Sequence, residues 1–219
     1  MRYLSTMAYL LSVAFVLCLS SDACGSLSDD LVSKLQRDNW EELFYHKGEI
    51  HKYKTGENFR ALVEVVQNKG LEWPVRIRGI RLLSKTNNIA APDILIGMLY
   101  DPFINHECPA IKSSVAEALG NFHKDHRVVD ALLYSLNDGE ILVREAAVDS
   151  LGKIGSNRAV PALLKLLNDR SVAIRIATIK ALGRIGDPSV MGALKLVANN
   201  DISEEVKYTA RETLGMFSR

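Results

Sequence analysis

The chain has 219 residues and a formal net charge of +1, with 27 Lys and Arg against 26 Asp and Glu, so no bulk charge draws it to nucleic acid or to an acidic lipid surface. Hydrophobic residues make up 47% and charged residues 24%, which excludes a chain too polar to bury a core. Strand-like alternation is essentially missing, so the expected class is all-α.

Behind a single early charge, Arg2, residues 7–19 read MAYLLSVAFVLCL, and SSDAC comes next. This is the charged start, apolar core and small-residue junction of a secretory signal peptide over residues 1–23. The run is too short for a comfortable membrane span. Two processing routes fit. Ser21 and Ala23 suit an ordinary signal peptidase. Cys24, between Ala23 and Gly25-Ser26, resembles a bacterial lipoprotein junction, although Ser21 and Asp22 stand where that junction prefers a Leu-like and a small residue. Cys24 is therefore the lipidation candidate. The expected location is outside the cytoplasm, as a periplasmic or membrane-anchored lipoprotein or in secreted form. On the secreted route Cys24 and Cys108 can form a disulfide; on the lipidated route they cannot.

Residues 24–56 form a junction. SLSDDLVSKLQRDNWEELFYH can make a helix bearing Leu31, Leu35 and a Trp40/Leu43/Phe44 cluster, expected to cap the domain that begins at residue 57, and KGEIHKYKTGEN reads as a polar loop.

From residue 57 to 219 the sequence repeats itself. VREAAVDSLGKIG from Val143 and IRIATIKALGRIG from Ile174 put apolar or small residues at i, i+3, i+4, i+7, i+8 and i+11, the stripe of an amphipathic helix. Weaker copies start at Val75, Ile111 and Val206. Between them lie more apolar segments: NFRALVEVVQNKG, APDILIGMLYD, HRVVDALLYSLND, NRAVPALLKLLND and PSVMGALKLVANN. Each unit is thus a helix A, a turn and a helix B. No unit can bury its stripe alone, so stacking must complete the core. Pro74 and Pro109 stand at the openings of B helices, Asp187-Pro188 reads as a cap followed by proline at the first helical position, and Gly155 and Gly186 stand where C-terminal caps belong. The glycines of the recurring Leu-Gly pair (Gly120, Gly152, Gly183, Gly215) lie inside helix B, where each costs about 1 kcal/mol against alanine. A neighbour must approach closely there.

An Asp followed by Val-Arg-x-x-Ala-x-x-x-Leu-Gly resembles a HEAT repeat, and the short period is most similar to the HEAT-like units of phycobilin lyase subunits. The resemblance spans about residues 57–218. It implies an α-solenoid of about five stacked helix pairs and says little about function. The tetratricopeptide Trp…Leu-Gly…Tyr signature and the ankyrin Thr-Pro-Leu-His are both absent.

Asp138 precedes Arg144 by six residues, Asp169 precedes Arg175 by six, and Asp201 precedes Lys207 by six. An acid in the A–B turn and a base one turn into helix B can pair within or between units. The expected role is a structural ladder; paired aspartates leave such bases poor phosphate readers. Upstream the pattern departs, with Gly70 six before Arg76, and the ladder should weaken. His106-Glu107-Cys108 and His123/His126 look like metal ligands, but His106 and His123 flank one helix and stand about 18 Å apart. His-Glu pairs in a HEAT array also resemble deoxyhypusine hydroxylase, where they lie inside helix B; here the only pair, His106-Glu107, precedes the helix. No nucleophile motif, phosphate loop or paired-carboxylate site is recognisable, so no catalytic residue, metal or cofactor is assigned. PFINHECPA lengthens one A–B turn, and Phe103 and Ile104 are candidate partner contacts. The expected function is a non-catalytic cell-envelope scaffold holding a protein or peptide on its concave helix-B surface; the alternative is a phycobilin lyase-like subunit cradling a tetrapyrrole, and behind it a HEAT-repeat iron oxygenase.

Overall fold

In the computed structural model, which describes residues 21–101 and 108–217, the Leu-Gly helices end where their glycines take over. Gly155 and Gly186 adopt left-handed φ values of 73° and 74° and close their helices by N–H bonds to Leu151 and Leu182. A side chain would strain that conformation. The α-helices are α1 Ser21–Gln36, α2 Gly56–Gln67, α3 Trp73–Ser84, α4 Ala91–Tyr100, α5 Pro109–Leu119, α6 His126–Ser135, α7 Ile141–Ile154, α8 Val160–Leu166, α9 Val172–Ile185, α10 Met191–Asn200 and α11 Glu204–Met216. Short 3-10 turns, Asn157–Ala159 and Pro188–Val190, precede α8 and α10. No strand occurs among the described residues. The five expected A/B pairs are α2/α3, α4/α5, α6/α7, α8/α9 and α10/α11. The fold is an all-α solenoid.

The chain groups into two compact units, one up to Asn88 and one from Ile89. In the first, α1 packs on α2 and α3 through buried Leu31 and Leu35. Arg78 of α3 donates to the Leu35 carbonyl at 2.6 Å, satisfying the end of α1. The stretch read as a polar loop is not one throughout. Glu49–Tyr53 is a 3-10 turn, Tyr53 is buried, and its ring meets Phe44 edge-on at 5.6 Å. Glu49 lies against Lys34 and Lys52. The charged residues around Tyr53 hid it from a composition-based reading. Tyr45, lodged beside Trp40, has its phenol pushed up to about 12 by burial and by Glu41.

In the second unit, B helices pack in series, α5 on α7, α7 on α9 and α9 on α11, and each A helix covers its own B helix. Val115, Val143, Leu151, Ile174, Leu182 and Val206 are fully buried. Removing such side chains from water at about 25 cal/mol per Å² is the main stabilising term. Three Leu-Gly glycines mark the contacts between successive B helices. A Cβ on Gly120 would stand 2.7 Å from Ser150 Oγ, one on Gly152 2.7 Å from Ala181 Cα, and one on Gly183 2.6 Å from a Thr213 methyl. Nothing lies within 4 Å of the corresponding point on Gly215. The outer face of α11 also changes character: Arg211 is exposed at the register position where Val148 and Ile179 are fully buried.

Of the expected signal segment 1–23, residues 1–20 lie outside the described residues and the last three open α1. Phe103, Ile104 and the side chain of Cys24 also lie outside the described residues. Cys108, the N-cap of α5, is a half-buried free thiol.

Candidate functional site

Each A–B turn of the second unit from Asp138 onward is built around its aspartate. Asp138, Asp169 and Asp201 each accept a backbone N–H two residues on, from Glu140, Ser171 and Ser203, at 2.8–2.9 Å. This local bond shapes the turn and leaves the remaining acceptor capacity for a neighbour. At two levels the neighbour is the basic residue of the preceding unit. Lys112 of α5 bonds the Asp138 carboxylate. Arg175 of α9 grips Asp201 with two bonds, Nε to Oδ2 at 2.8 Å and Nη2 to Oδ1 at 2.9 Å. Both pairs are more than nine-tenths buried. Burial, the largest influence on Asp201, pushes its carboxyl up; the Arg175 hydrogen bond, the Ser203 N–H and the charges of Arg175 and Lys207 together outweigh it, so the net shift is downward.

Pairing within a unit takes a different form. Arg144 Nη1 donates to the Asp138 and Gly139 carbonyls at 2.9 and 3.1 Å, and Arg175 Nη1 does the same to Asp169 O at 2.8 Å. Arg175 thus meets both the backbone of its own turn and the carboxylate of the next. Arg144 and Asp169 make no ion pair with each other, and Lys207 turns to Glu204 at 2.8 Å. The closed rungs span 26 residues, whereas Arg144 to Asp169 spans 25, and that one-residue deficit is a signal the sequence carried. Arg76 is buried and donates to the Val66 carbonyl.

Other inter-unit pairs were not foreseen. Arg127 bridges Asp125, the N-cap of α6, and Asp93 of α4 at 2.7 and 2.6 Å. Arg158 pairs with Asp130 at 2.7 Å. Their members recur about one period apart, which is the trace sequence reading had available. These pairs are half exposed and individually worth about 0–1 kcal/mol.

A shallow groove of about 390 Å³ crosses the B helices, lined by Glu117 of α5, by Asp149, Ser150 and Lys153 of α7, and by Arg184 of α9. Its four charged lining residues, Glu117, Asp149, Lys153 and Arg184, belong to two surface rows. Glu117, Asp149, Lys180 and Glu212 stand three residues before the successive Leu-Gly glycines, and Asn121, Lys153, Arg184 and Met216 one residue after them. A separation of four puts both rows on one helix face. Arg184 Nη1 bonds Asp149 at 3.2 Å, and Lys153 bonds Asn121 at 2.5 Å. Ser150 forms the floor, buried, its hydroxyl donating to Ala116 O at 2.8 Å. Such a surface can complement charge, but its lining contains no nucleophile–base pair.

His123 and His126 are exposed on the turn before α6 and on its first residue. No three His, Cys, Asp or Glu side chains are grouped to hold a metal ion among the described residues. His106 and Glu107 lie outside them. No described helix is long and apolar enough to cross a membrane.

Comparison with known families matches HEAT repeats at residues 99–173 and 129–215, which together span more than half of the chain. No curated protein matches significantly. Among solved structures, the complex of CpcE and CpcF of phycocyanin lyase from Nostoc sp. PCC7120 is similar at 23% identity and a TM-score of 0.60, covering 73% of this chain. This chain spans 64% of the length of that one. A designed armadillo repeat protein in complex with the peptide (KR)4 is similar at 16% identity and a TM-score of 0.53, covering 86% of this chain and 98% of its own. At these identities the likeness is one of fold.

Proposed function

This chain belongs to the HEAT repeat family, and from that premise we propose that it is a non-catalytic scaffold of the cell envelope that holds a protein segment on its B-helix face. The observation that carries the reading is the groove across α5, α7 and α9. Four of its five lining side chains are charged and exposed, and they come from three successive repeats. Small-molecule sites are mostly apolar and bury most of their ligand; a shallow charged strip across several repeats suits a segment held at many points. The peptide-bound designed repeat protein of like fold supports the same use of a stacked-helix surface. Export rests on the signal-like segment 1–23, and Cys24 is the proposed anchor; stable anchoring needs more than one acyl chain, which a lipoprotein N-terminus supplies.

A photo-crosslinking residue in place of Lys153, in cells, tests the scaffold reading against the same residue in place of Lys165 on α8. A discrete protein adduct from Lys153 and none from Lys165 is expected. Equal or absent adducts overturn the reading. Intact mass and detergent partitioning of wild type and Cys24→Ser test the anchor: an unacylated, water-soluble wild type removes it.

The second reading, a subunit that cradles a tetrapyrrole, is supported by the fold likeness to the phycocyanin lyase complex. The charge of the groove and the export segment weigh against it. Visible absorbance of the purified protein after incubation with a free bilin separates the two.

A further inference from the structure

The charges of the groove are unevenly satisfied. Asp149 and Arg184 neutralise each other, and Ser150 is committed to the Ala116 carbonyl. Lys153 sits at the register position of Arg184 but bonds the neutral Asn121 amide, so Glu117 lacks the partner that Asp149 has. The side chains of Glu117 and Lys180 make no hydrogen bond or ion pair among the described residues, and both are exposed. They occupy the same register on α5 and α9, on either side of Asp149 of α7, whose charge Arg184 of α9 closes. The row therefore reads acid, neutral, base across three adjacent helices.

Resting on the proposed scaffold reading, we infer that the B-helix face selects an extended protein segment by charge polarity, a basic residue against Glu117 in the groove and an acidic residue against Lys180, one turn before the groove residue Arg184 on α9. Adjacent helices pack about 8–10 Å apart, so the two charges are about 18 Å apart across two helix steps. An extended chain rises about 3.3 Å per residue, which puts the base and the acid of the occupant about five to six residues apart. The stretch between them crosses the closed Asp149–Arg184 pair and carries no further base, because Lys153 beside that pair keeps its charge against the neutral Asn121 amide.

The test is selection of a displayed library of random dodecapeptides on the full chain and on Glu117→Lys/Lys180→Glu. Binders to the wild type should be enriched in one base and one acid at that spacing. The double reversal should invert which end carries which charge. Each single reversal should weaken a wild-type-selected peptide roughly threefold to tenfold and less at high salt. Circular dichroism and thermal unfolding of the exposed-site variants serve as the folding control. Enriched peptides with no charge polarity, or a polarity unmoved by the reversals, overturn the inference and leave the scaffold reading standing. No enrichment over library carried without protein overturns the inference and denies the groove a peptide.

Discussion

The Cα of Ala181 in α9 lies 2.7 Å from the point where a Cβ on Gly152 of α7 would stand. Backbone cannot swing aside as a side-chain tip can, so Gly152→Ala forces α7 and α9 apart. The expected loss is about 1–3 kcal/mol from overpacking, partly offset by about 1 kcal/mol of helix propensity. Gly215→Ala meets nothing and should be neutral or stabilising by up to about 1 kcal/mol. Urea unfolding of the two variants reads the opposite signs; equal effects would contradict the packing.

The Arg175–Asp201 pair bridges consecutive repeats out of water. Either single alanine substitution leaves a buried charge without its partner, at a cost of about 3–5 kcal/mol. The double substitution should cost clearly less than the sum. Arg144 and Asp138 make the contrasting cycle. Arg144 bonds the Asp138 carbonyl, which survives Asp138→Ala, and the Asp138 carboxylate belongs to Lys112, so the two effects should be close to additive. Strong coupling between Arg144 and Asp138 would refute this assignment.

Acid should weaken the same bridge. The folded Asp201 carboxyl sits below its ordinary value, so the unfolded chain takes up the proton first as pH falls. Its stabilisation is present in full above an unfolded pKa of about 3.9 and is lost as pH drops through the lower folded value. The stability gap between wild type and Asp201→Asn should be constant from neutral pH to about pH 5 and should shrink below about pH 4. A gap that closes between pH 5 and 7 would point to another group.

Thr178 is fully buried in α9, and its hydroxyl has no hydrogen-bond partner among the described residues. Ala147 and Ala210 hold the corresponding positions of α7 and α11. Thr178→Val keeps the shape and removes the desolvated hydroxyl, so a gain of about 1 kcal/mol is expected in thermal or denaturant unfolding. A loss would mean that the hydroxyl bonds after all.

The sequence by itself determined the helix pairs, their period and the ends that a proline or a left-handed glycine marks; the helix read through to His46 instead stops at Gln36, and Gly120, read inside a B helix, is the C-cap of α5. The pairs and the marked ends are local matters: the i, i+3, i+4 stripe, the prolines at helix starts, and Gly155 and Gly186 at left-handed caps are all set within one turn of chain. The sequence also called for a close neighbour at Gly120, Gly152, Gly183 and Gly215; the first three have one, in Ser150, Ala181 and Thr213, and Gly215 has none among the described residues, because no later described helix packs on α11. Only the tertiary structure decided the partners of the charges. The six residues from Asp138 to Arg144 left pairing within a unit or between stacked units open, and stacking brings Lys112, twenty-six residues back, to the carboxylate. Tyr53 was obscured by the polar residues around it and is buried because Phe44 lies against it. Glu117 is uncompensated because Lys153 finds Asn121. Which side chain meets which across a helix interface depends on the register of two helices, and one residue more or less, as between Arg144 and Asp169, decides whether a rung closes.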